Sequence, residues 1–380
     1  MGVYDRLGIQ PVINARGMNT MASGSLMRPE TIAAMAEAAQ AFVDMGELNK
    51  KAGEHVAKLI GVEAAHITSG AAGGLLLSAA ACLAGTDPAR IAQLPDTTGF
   101  PNEIVIQRCH RFQYNQALRV AGARLVEVGD HEGATRAEVE AAIGPNTAGL
   151  IYIVSPYLGS RAVSVAEMAE IAHARGLPLI VDAASTLPPA SHLTRWTSQG
   201  ADLVIYSGGK GIRGPQGSGL LLGRADLIAA AAANAAPNAS VGRPSKVSKE
   251  DIIGLVDALE RFLAEDHAAI WQRHVDESNA IIEALNGVPG VKAHLEDDSS
   301  VWTAPNVLVE IDQSLAGKTP DEAVLALRNG DPPIMTRVFQ NRWLLVDSHN
   351  LRGDEYKTVG RRLREVLSAA TPVPVPAVAR

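Results

Sequence analysis

The stretch Asp202–Gly219 reads DLVIYSGGKGIRGPQGSG. It opens with an apolar, β-branched run, Leu203–Tyr206, that breaks off into small and flexible residues, and this pattern predicts a buried strand ending in a tight loop. Lys210 lies in that loop, and a lysine there is costly to bury unless its amine has a use. One such use is a Schiff base with an aldehyde cofactor such as pyridoxal phosphate. The pattern also fits an ordinary strand and turn with an exposed lysine.

The composition is that of a large globular chain. Its 380 residues are 47% hydrophobic and carry a formal net charge of -7, which argues against a nucleic-acid binder led by bulk charge but leaves a local basic patch for tRNA open. No apolar run approaches the roughly 20 residues needed to span a bilayer. The N-terminus shows no signal peptide, and the two cysteines, Cys82 and Cys109, form no metal or redox motif. We therefore expect a cytoplasmic enzyme with neither a membrane nor a metal site.

Predicted strands alternate with predicted helices over most of the chain, which indicates right-handed crossovers and a mostly parallel sheet covered on both faces. The predicted strands before Gly223 are a short one after Glu63, at the start of AAHITSGAAGGL, and those near 103–107, 124–128, 148–154, 177–181 and 202–206. The predicted helices there are 29–45, 47–60, 114–121, 136–143 and 165–175, with one Ala/Leu-rich helix after Gly70 and a Pro-punctuated loop at 86–101.

The chain divides by its patterns into four segments. Residues 1–27 are an irregular arm that has to be tied down by other parts of the protein or by a second subunit. A large domain covers 28–250, and a smaller α/β domain covers 251–370, with shorter predicted strands near 291–295, 306–311, 334–339 and 342–346. The remaining segment, 371–380, is a Pro-rich tail.

Asp182 lies at the C-terminal end of a buried-looking strand, within VDAAS at 181–185. In open α/β sheets the ligand crevice lies outside the carboxyl ends of the strands. A buried carboxylate there needs a cationic or donor partner, and the protonated ring nitrogen of pyridoxal phosphate is one. A helix N-cap or a turn aspartate is the alternative interpretation.

The turn Thr68–Gly74 joins a strand end to a helix start through small residues. Free backbone N–H groups and the helix dipole make such a turn an anion site, and the hydroxyls of Thr68 and Ser69 add donors. No Gly-Lys-Ser/Thr follows, so it is not a P-loop. Tight packing of helix on strand would explain the small residues equally well.

Three further residues stand at strand ends. Ser207 precedes Lys210 by three residues, and in a tight turn its hydroxyl could reach a phosphate, although serine is also common in ordinary turns. His110 closes the predicted strand EIVIQRC. Its imidazole could stack on a flat ring and move a proton, but an ordinary hydrogen-bonded loop histidine is the alternative interpretation. Arg111 beside it could bind an anionic substrate group.

The order of these features resembles the aspartate-aminotransferase-like (fold type I) pyridoxal-phosphate enzymes. Within them the chain is most similar to the bacterial selenocysteine synthase group, and in particular to its non-tRNA members, the D-glucosaminate-6-phosphate ammonia-lyase-like proteins. The resemblance runs over nearly the whole chain. The segments that carry it are PVINARGMNT, HITSGAAGGL, QRCHRFQYNQALRVAGARLVEVG, VDAAS, YSGGKGIRGPQGSG, PPIMTRV and RWLLVDSHNLR.

The resemblance implies a role for each matching residue. Lys210 would form the Schiff base and later act as the base, Asp182 would pair with the pyridine nitrogen, and His110 would stack on the ring. The further cofactor-binding residues would be Ser69, Gly70, Ala71, Ser185 and Ser207. The substrate-binding residues would be Asn14, Arg16, Thr20, Arg111, Arg213 and Arg337. Of these, Arg337 is the candidate for the substrate carboxylate, since an arginine fork binds that group bidentately, unless it is a surface arginine of a strand.

The implied function is that of a lyase on an amino acid or amino sugar acid, by Cα-proton abstraction and β-elimination, with release of ammonia and a 2-keto acid. The alternatives are an amino-acid racemase or epimerase and an aminotransferase on the same scaffold. A regulatory binding protein would be expected to have lost Lys210 or Asp182, and both are present. Because no domain like the tRNA-binding one of selenocysteine synthases precedes residue 1, we expect a small-molecule substrate, no nucleic acid, and a homodimer or larger homo-oligomer.

Overall fold

The computed structural model describes residues 2–155, 159, 161–300 and 302–368. The chain forms two compact units: the larger is Ser25–Glu265, and the smaller combines the residues up to Gly24 with those from Asp266 onward. The helix at Lys249–Leu263 lies in the larger unit, and the N-terminal residues belong to the smaller one. The predicted Pro-rich tail, 371–380, lies outside the described residues.

The strands are β1 Ile13–Asn14, β2 Ala64–Thr68, β3 Glu103–Gln107, β4 Arg124–Val128, β5 Thr147–Ile153, β6 Leu179–Asp182, β7 Leu203–Ser207, β8 Gly219–Gly223, β9 Val291–Glu296, β10 Asn306–Ile311, β11 Ile334–Met335, β12 Arg337–Phe339 and β13 Trp343–Asp347. The α-helices are α1 Pro29–Ala38, α2 Met45–Ile60, α3 Gly70–Ala84, α4 Pro88–Gln93, α5 Gln116–Val120, α6 Arg136–Ala142, α7 Val165–His173, α8 His192–Arg195, α9 Ala225–Ala233, α10 Lys249–Leu263, α11 His267–Leu285, α12 Gln313–Ala316, α13 Pro320–Arg328 and α14 Glu355–Ser368.

A seven-stranded sheet in the order β2-β8-β7-β6-β5-β3-β4 organises the larger unit. The neighbours from β7 to β4 run parallel, while β8 is antiparallel to both β2 and β7. The predicted mostly parallel sheet is therefore confirmed. The strand β8 itself was absent from the sequence prediction, because the short run Leu220–Leu222 stands between glycines and follows a Gly-rich turn.

Apolar cores cover both faces of this sheet. Leu179, Val181 and Val204 face one core with α7 and α10, and Ile180 and Ile205 face the other with α3 and α9. Alternate residues of one strand point to opposite faces, so strands covered on both sides are continuously apolar, as in β6 and β7. Helix α3 lies close to the sheet because Gly74 has no Cβ, which would come 2.8 Å from Cγ2 of Ile205.

The smaller unit contains an antiparallel sheet in the order β12-β13-β10-β9 and a two-stranded parallel pair, β1 with β11. Its core combines strand residues with apolar residues of α11, α13 and α14. The N-terminal arm is tied down by long-range pairing, since Ile13 lies opposite Ile334 and the backbone N–H of Ala15 donates to the carbonyl of Met335 at 3.0 Å.

Two local predictions were wrong. The first helix ends at Ala38 instead of continuing to about Met45, and a second helix starts afresh at Met45, where Asp44 accepts a hydrogen bond from the N–H of Glu47 as its N-cap. The stretch 86–101 is not all loop, because Asp87 caps the short helix Pro88–Gln93. None of the helices within the described residues is long and apolar enough to cross a membrane.

We predict that Gly219→Ala destabilises the larger unit by about 2–3 kcal/mol, the cost of overpacking. A Cβ at Gly219 would lie 2.4 Å from the carbonyl carbon of Gly70, which is backbone and cannot swing away. Urea denaturation measures the free energy of unfolding. Gly217→Ala is the control, since its Cβ would meet only Asp251 Oδ2 at 3.7 Å, and we expect a change within about 0.5 kcal/mol. Equal losses in both variants would contradict this packing argument.

Candidate active site

The lysine loop is built from glycines that other atoms approach closely. Gly208 donates its N–H to the carbonyl of Ser218 at 2.9 Å, and a Cβ on it would lie 2.1 Å from Ser218 Oγ. A Cβ on Gly209 would lie 2.4 Å from Gln216 Cα, and one on Gly211 would lie 2.2 Å from the carbonyl oxygen of Leu187. Any side chain at these positions would displace the loop that carries Lys210.

The backbone of Lys210 is fixed from two directions. Its carbonyl accepts a hydrogen bond from the hydroxyl of Ser25 at 2.6 Å and from the N–H of Arg213 at 2.9 Å. Ser25 also donates its N–H to the carbonyl of Gly209 at 3.0 Å, and this serine is buried. The direction in which the Lys210 side chain leaves the loop is thus set by the backbone on both sides of it.

The amine of Lys210 lies beside the end of β6. Its Nζ donates to Ser185 Oγ at 2.5 Å, and Lys210 is half-buried whereas Ser185 is exposed. Burial lowers the pKa of Lys210 below its usual value, and the negative charge of Asp182 opposes that shift.

Asp182 is buried, with 5% of its surface exposed, at the last position of β6. Its Oδ1 accepts the N–H of Ala184 at 3.0 Å. Burial raises the pKa of Asp182, while this hydrogen bond and the charge of Lys210 lower it. The carboxylate is therefore desolvated, and the N–H of Ala184 and the nearby amine of Lys210 offset part of the cost of its burial.

His110 lies in a 3-10 turn, Arg108–His110, directly after β3 instead of closing the strand itself. It is 1% exposed, and burial lowers its pKa to about 4, so the imidazole is neutral at pH 7. Its Nδ1 accepts the N–H of Ile153 at 3.4 Å, and its ring meets Tyr152 edge-on at 4.3 Å between centroids. Its Nε2 is buried and has no hydrogen-bond partner among the described residues.

The turn after β2 presents the start of a long helix. Ser69 is the N-cap of the 15-residue helix α3, and its side chain makes no capping hydrogen bond. Gly70 adopts φ +67°, a left-handed conformation that favours glycine, and Ala71 follows in the first helical turn. The free N–H groups of that turn suit an anion. The hydroxyl of Thr68 is already used, since it donates to the carbonyl of Gly70 at 2.8 Å.

These groups share one edge of the sheet. Thr68 and Ser207 both lie opposite Gly219, Asp182 lies opposite Ile205, and Ile153 lies opposite Asp182. Three strand spacings, about 14 Å, separate the ends of β2 and β6. The edge thus places a candidate anion-binding turn, a lysine, a buried carboxylate and a buried imidazole side by side.

Two predicted substrate arginines of this unit have other partners. Arg111 is exposed, and its Nε lies 3.3 Å from Glu127 Oε1. Arg213 has a positive φ of 61° and donates from Nε to the carbonyl of Leu26 at 3.1 Å. Neither contact was visible from the sequence, because both partners are distant in it.

The other predicted substrate residues lie in the smaller unit. The side chain of Asn14 is engaged by the arm, since its amide donates to the carbonyls of Gly17 and Ala22, both at 3.1 Å, and its oxygen accepts the N–H of Arg16 at 3.0 Å. Thr20 is exposed in the 3-10 turn Thr20–Ala22. Burial is the main cause that lowers the pKa of Arg16, and the positive charge of Arg337 is the second. The two guanidinium groups are therefore close enough to repel each other.

Sequence reasoning missed two residues that shape the site. Tyr152 packs against His110, and Ser25 fixes the carbonyl of Lys210. Tyr152 had one available signal, a polar tip within the apolar strand AGLIYIV at 148–154. Ser25 gave none, since it is one of several small residues in an irregular segment and its partner lies 185 positions away.

Comparison with known proteins defines the class first. The chain has the aspartate-aminotransferase-like, fold type I architecture, as predicted. A structure of a serine palmitoyltransferase variant from S. paucimobilis with a bound PLP-myriocin aldimine shares this fold at 13% identity and a TM-score of 0.60, over 93% of this chain and 87% of that one.

The family follows from closer matches. The model of the SelA family, L-seryl-tRNA selenium transferase, matches residues 43–271, and the chain belongs to this family. It is 36% identical to a 5'-C-glycyluridine monooxygenase-decarboxylase of a Streptomyces species, over 96% of this chain and 92% of the relative. It is 34% identical to the D-glucosaminate-6-phosphate ammonia lyase of Salmonella typhimurium, over 97% of this chain and 98% of the relative.

Solved structures include a D-glucosaminate-6-phosphate ammonia-lyase with a TM-score of 0.82 and 33% identity, covering 97% of this chain and 98% of the other. The predicted resemblance to the selenocysteine synthase-like group, and to its ammonia-lyase-like members, is confirmed.

We predict that Asp182→Asn lowers the pKa of Lys210 further. The carboxylate charge opposes the effect of burial on the amine, so its removal leaves burial unopposed. Labelling of Lys210 with acetic anhydride in the cofactor-free protein, followed across pH by peptide mass spectrometry, measures the midpoint of amine deprotonation. We expect a wild-type midpoint below the usual 10.5 and a lower one in the variant. A higher midpoint in Asp182→Asn would contradict the electrostatic assignment, and exposed Lys246 provides the internal control.

Proposed function

We propose that this protein is a pyridoxal-phosphate-dependent ammonia-lyase that acts on an amino sugar acid. The observation that carries the proposal is the placement of Lys210, Asp182 and the Ser69–Gly70 turn on one sheet edge. The chain is also 34% identical, over nearly its full length, to a relative named as an ammonia lyase of D-glucosaminate-6-phosphate.

The residues present fit this cofactor. Asp182 is a desolvated carboxylate that a protonated ring nitrogen would neutralise, and Lys210 is the amine beside it. The buried, unpartnered Nε2 of His110 leaves a donor for a group on or near the ring. Ser69, Gly70, Ala71 and Ser207 would hold the phosphate on the free N–H groups of α3 and on two hydroxyls. Ser185 would contact the cofactor near the lysine.

Pyridoxal phosphate, when bound, supplies an electron sink that acidifies the Cα–H bond of an amino acid. The chain supplies the base. Since burial lowers the pKa of Lys210, a larger share of its amine is neutral near pH 7 than for an exposed lysine, and a neutral amine can take the Cα proton. A β-hydroxyl would leave as water, and hydrolysis of the imine form of the resulting enamine by one water would release ammonia and leave a 2-keto acid. His110 is neutral at this pH, so we assign it to stacking and hydrogen bonding rather than to donating a proton as imidazolium.

The acid group of the substrate is assigned to Arg337 and Arg16 of the smaller unit. An arginine fork matches a carboxylate or a phosphate, and these two guanidinium groups already repel each other. Arg111 and Arg213, together with Asn14 and Thr20, remain weaker candidates, because the contacts of Arg111, Arg213 and Asn14 described above are with other parts of their own units.

A second activity has specific support. The relative that is 36% identical is named a monooxygenase-decarboxylase. A similar chain therefore carries the name of a reaction other than ammonia release. Racemisation and transamination are further outcomes open to a Cα carbanion. The products distinguish these reactions: ammonia with a 2-keto acid, carbon dioxide with oxygen uptake, inverted substrate, or an amine transferred to an added keto acid.

We predict that the purified protein with pyridoxal phosphate releases ammonia and a 2-keto acid from D-glucosaminate-6-phosphate. Lys210→Ala removes the base and should lower the rate by at least about 100-fold. It should also abolish the visible absorbance of the bound cofactor, whereas exposed Lys246→Ala should retain both. Coupled assays for ammonia and keto acid make the measurement. Carbon dioxide and oxygen uptake, or inversion without keto acid, would replace the proposed reaction, and a protein that binds no cofactor would point to a regulatory role.

The proposed assembly is a homodimer, without a nucleic-acid partner, and the proposed location is the cytoplasm. In the larger unit, the segment 26–43 exposes several large apolar side chains, and exposed apolar surface of this kind is typical of a subunit interface. Its members are Leu26, Ile32, Phe42 and Val43, with exposures of 53%, 51%, 104% and 50%.

We predict that Phe42→Glu weakens the dimer, because a charge replaces a fully exposed aromatic ring in this segment. Light scattering coupled to size exclusion should show a dimer for the wild type and a monomer, or a faster exchange, for the variant. Tyr114→Glu, at a half-exposed site outside the segment, is the control and should leave the mass unchanged. A wild-type monomer at micromolar concentration would rule out the proposed assembly.

A further inference from the structure

Asp347 is a carboxylate enclosed by three segments of the smaller unit. It ends β13, lies opposite Asn306 of β10 on one side, and forms an isolated parallel bridge with Arg16 on the other. Its N–H donates to the carbonyl of Ala15 at 3.0 Å, and its Oδ1 accepts the N–H of His349 at 2.9 Å. The proposed reaction assigns no role to Asp347.

The N-terminal arm presses directly on this carboxylate. Gly17 has φ +84°, and a Cβ on it would lie 2.1 Å from Asp347 Oδ2. A glycine is therefore required here for two reasons, the left-handed backbone and the closeness of the carboxylate. Such close approach restricts the position of the Asp347 side chain.

Two cationic side chains act on the Asp347 carboxylate. Burial raises the pKa of Asp347, and the charges of Arg337 and His274 lower it. Arg337 lies on β12 opposite Leu345, and Asp347 follows two residues later on the same face of β13. His274 projects from α11, where its ring is stacked on that of His349 and its Nδ1 lies 3.1 Å from Glu277.

The donors around Asp347 are not fully used. The guanidinium of Arg16 donates a long hydrogen bond from Nη1 to the carbonyl of Thr336 at 3.4 Å, and its buried Nε has no partner among the described residues. Thr336 is 1% exposed, and its hydroxyl likewise has no partner in that part of the chain. Buried donors without acceptors, next to two arginines of like charge, favour an anion as the missing partner.

We propose that Asp347 is the positioning residue of an acid-binding site formed by Arg16, Thr336 and Arg337, which takes one carboxylate or phosphate group of the substrate. The carboxylate lies on the same face of the sheet as Arg337 and attracts its guanidinium, and the backbone bridge between Asp347 and Arg16 brings the second arginine to the same place. This inference rests on the proposed function in one respect, that the substrate carries an acid group.

The test is Asp347→Asn, which keeps the shape of the side chain and removes its charge. In the cofactor-loaded enzyme we expect KM for D-glucosaminate-6-phosphate to rise about tenfold or more, as for loss of a charged hydrogen-bonding partner, while kcat stays within about twofold. Calorimetric titration with inorganic phosphate and with acetate should show weaker binding by a similar factor. Comparison of D-glucosaminate with its 6-phosphate tells which acid group the site takes.

A simple charge effect makes the opposite prediction. If Asp347 only competed with the ligand for the arginines, its removal would leave a more positive site and tighter binding of phosphate and acetate. Tighter or unchanged binding in Asp347→Asn would therefore overturn the proposal. Glu310→Gln is the matched control, because Glu310 is an exposed carboxylate of the same sheet that pairs with Arg342 at 2.7 Å, and its loss should change neither KM nor binding.

Gly17→Ala provides a second variant, which displaces the same carboxylate without changing its charge. Gly8→Ala is its control, since Gly8 has a similar φ of +65° but an added Cβ would meet nothing within 4 Å. We expect weaker acid binding in Gly17→Ala alone, and equal behaviour of the two variants would argue against the positioning role. If the wild type does not turn over D-glucosaminate-6-phosphate, the proposed function fails, whereas the phosphate and acetate titrations still decide the role of Asp347.

Discussion

The larger unit depends on one unfavourable arrangement, a carboxylate and an amine that are both desolvated at the end of a sheet. Burial raises the pKa of Asp182 and lowers that of Lys210, so it favours the neutral form of each group. The attraction between the two charges has the opposite effect and favours the charged forms. Replacement of such a buried pair by apolar residues is often neutral or stabilising. Retention of such a pair is typical of sites where the strain has a chemical use.

The backbone around the pair is built to keep the two groups in place. Glycines at 208, 209 and 211 let other segments come closer than any side chain would allow, and Ser25 fixes the carbonyl of the lysine. On the neighbouring strand, Gly219 lies against the carbonyl of Gly70, which joins the lysine loop to the turn at the start of α3. The candidate anion-binding turn and the lysine are thus parts of one rigid edge, and loops held in this way can preorganise a site.

Short apolar runs in the sequence predicted the bounds of several strands, but not the elements whose formation depends on distant partners. The runs that became β3, β4 and β10 had the predicted bounds, because each combines several apolar, mostly β-branched residues in a short segment. The strand Gly219–Gly223 was missed because three leucines between glycines give no clear period, and its existence depends on pairing with β2 and β7. The helix Pro88–Gln93 was missed because the prolines around it suggested only loop.

Long-range contacts account for what the sequence did not reveal about the candidate site. Strand-end position was enough to place Lys210, Asp182 and Ser207 on one edge, since parallel strands bring their carboxyl ends together. It could not show that Arg111 lies beside Glu127, or that the amide of Asn14 is used by its own arm. Pairings of this kind depend on the packed fold, and no periodicity in the sequence reports them.

The family model matches only part of the chain, whereas two relatives match nearly all of it. The matched residues, 43–271, include Lys210, Asp182 and His110 and exclude Arg16, Arg337 and Asp347. Relatives of similar identity nevertheless carry names as different as an ammonia lyase and a monooxygenase-decarboxylase. Membership of the family therefore does not by itself determine the reaction. We propose that the groups that bind the rest of the substrate distinguish these reactions, and that the arginines around Asp347 are among those groups.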